Sequence, residues 1–172
     1  KVTGIAPLGT LERMSAKKKL DAKSQAKCER IHYRVAEICE FAYSIGQPVF
    51  IDAEDSWIQD AIDRIAAEMM ERFNRETAIV FNTLQMYRTD RLQYLKEYRR
   101  QAHNDGYILA VKLVRGAYME KERERAIEKG YPSPIHETKE ATDADYNGAL
   151  EYCMRHFKEV AFVAATHNEI ST

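Results

Sequence analysis

Cysteine is scarce in this chain of 172 residues: Cys28, Cys39 and Cys153 are odd in number and share no C-x-x-C spacing. Neither a disulfide scaffold nor a paired-cysteine redox or zinc motif is therefore available. All three lie in apolar, helix-like contexts, where reduced core cysteines are expected. Four prolines and seven glycines are too few for a collagen-like or linker-rich chain, so a single domain over residues 1–172 is expected. An excess of one charge is also missing, since 26 basic residues face 27 acidic ones for a net charge of −1. The signs are interspersed, no basic block tracks a phosphate backbone, and nucleic acid is not an expected partner. No apolar run reaches the roughly 18 residues of a membrane-spanning helix, although that count does not bear on a surface-lying amphipathic helix. The chain opens on Lys1-Val2-Thr3-Gly4, with neither an initiator Met nor the apolar stretch of a secretory leader. A segment cut from a longer protein of a reducing compartment is expected.

What the sequence does contain is alternation. Four short apolar runs end in polar tips: Pro48-Val49-Phe50-Ile51 before Asp52, Ala78-Ile79-Val80-Phe81 before Asn82, Tyr107-Ile108-Leu109-Ala110-Val111 before Lys112, and Val160 to Ala165 before Thr166. Such runs read as strands buried on both faces of a parallel sheet, and Lys1-Val2-Thr3 is expected to close a fifth strand. Helical ladders fill the gaps. Ile58, Ile62, Ile65, Met69 and Phe73 recur at spacings of three and four, and Ile31, Val35, Ile38, Cys39 and Ala42 make a second ladder that stops at Gly46 before Pro48. Leu92, Leu95 and Ala102 mark a third, ending near Gly106. Thr142 is expected to cap a helix through Tyr146, Leu150 and Cys153, and Glu120 to Lys129 to form a helix solvated nearly all round.

Strand-helix alternation means βαβ units and a parallel α/β sheet, either doubly wound or a barrel. The dinucleotide fingerprint G-x-G-x-x-G, the P-loop and the G-x-S-x-G elbow are all absent. Every strand delivers polar residues at its C-terminal end, which favours a (βα)8 TIM-type barrel. A complete barrel needs eight units and about 250 residues, so about five units are expected here.

The candidates for chemistry sit on those tips. Asp52 and Glu54 share a side by period two, either working at a barrel mouth or simply opening the next helix. Gln85 shares parity with Phe81 and Thr83 and, without further context, reads more as a hydrogen-bonded structural amide than as a functional one. Lys112, inside an apolar strand, is costly unless paired or working. It shares a face with Val114, Gly116 and Tyr118, while Arg115 points the other way. Gly116 admits a flat ligand close to the backbone, and Tyr118 can close over it. His167 ends the last strand. No H-E-x-x-H exists and the other histidines are scattered, so no metal is expected. A metal-dependent lyase using Asp52, Glu54 and His167 is the alternative enzyme, and a non-catalytic fragment that self-associates through open sheet edges is the alternative for the segment by itself.

Taken in order, Val49-Phe50-Ile51-Asp52-Ala53-Glu54, then Phe81 to Tyr87, then Lys112-Leu113-Val114-Arg115-Gly116-Ala117-Tyr118, then Ala165-Thr166-His167-Asn168-Glu169 resemble the proline dehydrogenase family. Pro132 to Tyr146, with Glu140-Ala141-Thr142-Asp143 inside it, resembles the family's segment after the fourth strand. The resemblance implies a distorted (βα)8 barrel carrying FAD, which oxidises L-proline to Δ1-pyrroline-5-carboxylate and passes electrons to a membrane quinone. It implies that Lys1 pairs with the proline carboxylate, that Asp52 lies at the substrate pocket and that Tyr118 packs on the proline ring. It further implies cofactor contacts from Gln85, Lys112, Gly116, Lys139 and His167. Many relatives carry Arg at Lys112, where Lys keeps the charge and loses the bidentate fork. The family's last three strands and a final helix bearing a Tyr and an Arg pair have no counterpart in these residues; Tyr98-Arg99-Arg100 lies elsewhere and is expected on a solvated helix face. The isolated segment is therefore expected to be inactive, and the complete protein to be cytoplasmic or peripheral at the inner membrane.

Overall fold

The apolar runs become four parallel strands, β1 (Val49–Ile51), β2 (Val80–Gln85), β3 (Leu109–Val114) and β4 (Val160–Ala164), hydrogen-bonded in the order β1-β2-β3-β4. The computed structural model describes residues 1–17 and 21–171. Among the described residues six α-helices accompany the sheet: α1 (Leu8–Ser15), α2 (Ala22–Ser44), α3 (Ser56–Phe73), α4 (Arg91–Asp105), α5 (Met119–Lys129) and α6 (Lys139–Arg155). The short helix α1 carries no signal among the ladders read from the sequence.

Register divides the sheet into two faces. Ile51 pairs with Asn82 and Asn82 with Val111, so these residues and their period-two neighbours Val80, Leu84, Leu109 and Leu113 share the helix-covered face. All of them are buried. Ile58, Ile62, Ile65 and Met70 of α3 form the layer over this face, with Ile31 and Val35 of α2 and Leu11 of α1 in the same core. The opposite face carries Phe50, Phe81, Thr83, Ala110, Lys112 and Val163. It is the open one, with Phe50 43% and Val163 36% exposed. A curved wall covered by helices outside and open inside is part of a barrel, and among the described residues β1 and β4 have unpaired outer edges.

Polar groups fasten this frame. Asn74, fully buried after α3, accepts from the backbone N–H groups of Ile79 and Val80 and donates to the carbonyls of Val80 and Ile108. Asp63, buried on α3, accepts from Gln59 (2.8 Å), Asn82 (2.9 Å) and Arg91 (2.8 Å). Arg91 also grips Asp90. Burial alone would raise the Asp90 carboxyl, but its bonds to Arg91 and Arg88 prevail and hold it at about 2. The three cysteines are free and buried, and burial pushes the Cys39 thiol up to about 11 and Cys153 up to about 12, the state of inert core thiols.

Several expectations need correction. Val2–Gly4 is a 3₁₀ turn, closed by Gly4 N–H on the Lys1 carbonyl at 3.1 Å, so no fifth strand forms there. Its polar contacts are to Glu54 side-chain oxygens instead of a ladder. The described residues therefore hold four strands where about five βα units were expected. The cap of α6 is Thr138, whose hydroxyl accepts from Ala141 N–H at 3.2 Å, while Thr142 lies buried one turn inside. The α5 helix is not solvated all round, because Glu122 is 0% exposed and caps α3: its carboxylate accepts from both the N–H and the hydroxyl of Ser56 at 2.6 Å. Arg99 is not on a solvated face either, since it bonds Tyr152 and Glu159. Replacing Asp63 by Ala strands Asn82, Gln59 and part of Arg91 without acceptors in the core. We expect a loss of about 3 kcal/mol, read as a lowered denaturant midpoint of the full-length protein. An unchanged midpoint would contradict the role given to Asp63.

Candidate active site

Parallel strands end together, so the residues after β1, β2 and β3 gather at one rim of the sheet. The Lys112 ammonium donates to Asp52 Oδ1 at 2.5 Å and sits 5.0 Å from the centre of the Phe50 ring. Strands β1 and β3 do not pair with each other. The long lysine crosses over β2 to reach Asp52, a span that neighbouring strands about 4.8 Å apart make possible. Beside this pair, the Lys1 ammonium donates to the Tyr118 hydroxyl and lies 5.1 Å from the Tyr118 ring centre. The hydrogen bond and charge of Tyr118 raise the Lys1 pKa, against the small opposing effect of burial, with Glu54 and Asp52 adding to the rise. Lys1 is exposed and Tyr118 half-buried.

Gln85 lies beneath this group, 3% exposed. Its Nε2 donates to the Glu54 carbonyl at 2.9 Å, and its Oε1 accepts from the Ala117 N–H at 3.1 Å. Gly116 has a partner that the sequence reading did not foresee. A Cβ there would fall 2.4 Å from the Tyr87 ring, and its φ is +146°. The close approach is therefore made by a tyrosine of the same chain, whose phenol burial pushes well up.

A second polar group closes the other side of the rim. Arg115 points away from Lys112, as period two requires. It donates to Asp143 at 2.5 Å, Thr166 at 2.7 Å and Ser171 at 2.9 Å, and lies 4.3 Å from the Tyr146 ring centre. Lys139 donates to the other oxygen of Asp143 at 2.5 Å. These two cations hold the Asp143 carboxyl below its usual range against the effect of burial. Arg115 and Asp143 were not among the residues assigned a role from sequence; nothing local signals a contact spanning 28 positions. His167 is exposed in the segment after β4. No three His, Cys, Asp or Glu side chains converge as a metal site among the described residues. Asp52 is taken up by Lys112, and Glu54 by Thr3.

Comparison with known proteins decides the family. The family model described as proline dehydrogenase matches residues 5–172. The chain belongs to the proline dehydrogenase family. It is 36% identical over 171 residues to the carbapenem antibiotics biosynthesis protein CarD of Pectobacterium carotovorum, covering 99% of this chain and 44% of that one. It is 35% identical over 167 residues to mitochondrial proline dehydrogenase 1 of Homo sapiens, covering 95% of this chain and 28% of the human protein. The chain thus spans less than half the length of these relatives. Proline utilization A from Bdellovibrio bacteriovorus, in a structure inactivated by N-propargylglycine, superposes with a TM-score of 0.79 at 22% identity, over 86% of this chain and 15% of that one. At that identity the likeness shows the fold, which is of the TIM-barrel type.

Within this member of the family, the structure joins Lys1 to Tyr118 and Asp52 to Lys112, with Gln85 bracing the segments that carry them. Lys139 is linked through Asp143 to Arg115, the residue after β3. The close fit between exposed Gly116 and the buried Tyr87 ring gives a direct test. Gly116→Ala is expected to lower the melting temperature of the full-length protein by several degrees. In the double variant with Tyr87→Ala the two losses should fall short of their sum, because the ring that clashes is gone. Full additivity would contradict the contact.

Proposed function

We propose that the protein carrying this chain oxidises L-proline to Δ1-pyrroline-5-carboxylate, with FAD as its cofactor and a quinone as the final electron acceptor. The observation that carries this reading is the unequal pairing of the two rim lysines. Lys112 has its charge matched by Asp52 at 2.5 Å, whereas Lys1 donates to the Tyr118 hydroxyl. Lys1 is thus the cation with charge to offer a substrate carboxylate. Tyr118, under that ammonium, presents an aromatic face to an aliphatic ring.

The product fixes the orientation. Its C=N bond joins the ring nitrogen to the carbon that does not bear the carboxylate, so the hydride leaves from that carbon, with the amine neutral. An anchor on the carboxylate at Lys1 directs that carbon away from the anchor. FAD supplies the hydride acceptor when bound. The open inner face fits such a group: exposed Phe50 and Val163 would offer apolar contact, and the Lys112 ammonium, held by Asp52, would offer its remaining N–H donors. Gln85, Lys139 and His167 are proposed as further contacts to it. Asp52 steadies Lys112 and borders the substrate pocket.

Electron delivery to a quinone brings the protein to a membrane surface. The location proposed with it is the cytoplasm, peripheral at the inner membrane; among the described residues no helix is long and apolar enough to cross a membrane. For the 172 residues by themselves, the open face and the unpaired edges of β1 and β4 support self-association and no turnover. The full-length protein should convert L-proline to the cyclic imine with a soluble quinone as acceptor. Lys1→Met, which deletes a charge-assisted bond, should raise KM about 10- to 100-fold. Absence of product with every acceptor tried would overturn the reading.

A further inference from the structure

We infer that Glu54 is a positioning residue whose buried carboxylate holds Lys1 over Tyr118. The inference rests on the substrate reading above only for its consequence in catalysis. Glu54 is 6% exposed, and a carboxylate so buried is costly unless it is bonded. Its bonds go to the turn that carries Lys1: Oε1 accepts from the Thr3 N–H at 3.0 Å, and Oε2 from the Thr3 hydroxyl. Thr3 lies inside the 3₁₀ turn, where Gly4 N–H bonds the Lys1 carbonyl at 3.1 Å and Ile5 N–H bonds the Val2 carbonyl at 3.0 Å. Fixing Thr3 therefore fixes Lys1.

Capping of α3 does not explain this carboxylate, because Glu122 performs that task at Ser56. The backbone of Glu54 is itself immobilised at both ends. Its N–H donates to Gln59 Oε1 at 2.8 Å, and its carbonyl accepts from Gln85 at 2.9 Å. Gln59 is held in turn by Asp63 at 2.8 Å. The same Gln85 amide accepts from Ala117 N–H, the residue before Tyr118. Both partners of the Lys1–Tyr118 contact thus hang from one buried backbone unit, two residues beyond Asp52. Loss of the Glu54 carboxylate releases the lysine and leaves Tyr118 and Asp52 in place.

Two readouts on the full-length, flavin-loaded protein test this. The first needs no substrate: the rate at which an acylating reagent modifies the Lys1 amine, followed by peptide mass. Glu54→Ala should raise that rate several-fold, and Glu54→Gln, which keeps an acceptor for Thr3 N–H, should restore most of the protection. The second is the KM for L-proline, expected to rise about tenfold in Glu54→Ala, with kcat changed less than twofold and flavin content unchanged. Thr3→Val, which retains the N–H donor, should give a smaller rise. Equal labelling of wild type and Glu54→Ala would overturn the inference. So would a fall in kcat and flavin content together, the mark of a general folding defect. Altered labelling in a protein that does not oxidise L-proline would uphold the positioning role and refute the substrate reading instead.

Discussion

Two strands that never touch share one ion pair. Strands β1 and β3 both pair with β2, and the register that sets Thr83 opposite Lys112 brings the Lys112 ammonium across to Asp52 at 2.5 Å. Parallel pairing makes all strand tips end at one rim, so residues 60 positions apart in sequence become neighbours. The remainder of the site is built outward from that rim. Lys1 and Tyr118 lie beside the pair, Gln85 lies below it, and Arg115 turns to the opposite side to tie α6 and the segment after β4 to the same end. A shift of β3 by one residue would exchange Lys112 with an apolar neighbour and dismantle the group.

Buried carboxylates hold this arrangement, and each is satisfied in a different way. Glu122 binds the start of α3, Asp63 gathers two amides and an arginine, and Glu54 binds the turn before α1. Together they lock the helical layer to the segments that follow β1. Rigidity beneath the rim matters for a hydride transfer, in which substrate orientation carries much of the rate. The open inner face is where the proposed flat cofactor would lie.

Much of the frame was legible because periodicity is local. The apolar runs gave the four strands, and spacings of three and four gave α2, α3 and α4, with Gly46 and Gly106 marking two ends. The rim candidates Asp52, Gln85, Lys112 and Tyr118 followed from their position at strand ends and from the family resemblance. Sequence reading failed where the deciding partner is remote. Lys1-Val2-Thr3 reads as strand until Glu54, 51 positions from Thr3, captures it as a turn. Glu122 reads as solvated until the N-terminus of α3 is placed against it. Gly116 reads as space for a ligand until Tyr87 is seen to fill that space. Thr142 and Thr138 are equally good caps by type, and only the backbone geometry chooses between them.

The central claim is that this rim presents L-proline to a bound flavin. Its most direct test is the visible spectrum of the full-length protein as L-proline is added without oxygen. The account requires an oxidised flavin spectrum that bleaches on addition. A bound flavin that stays oxidised at saturating L-proline would contradict the substrate assignment, and well-folded protein with no affinity for flavin would contradict the site itself.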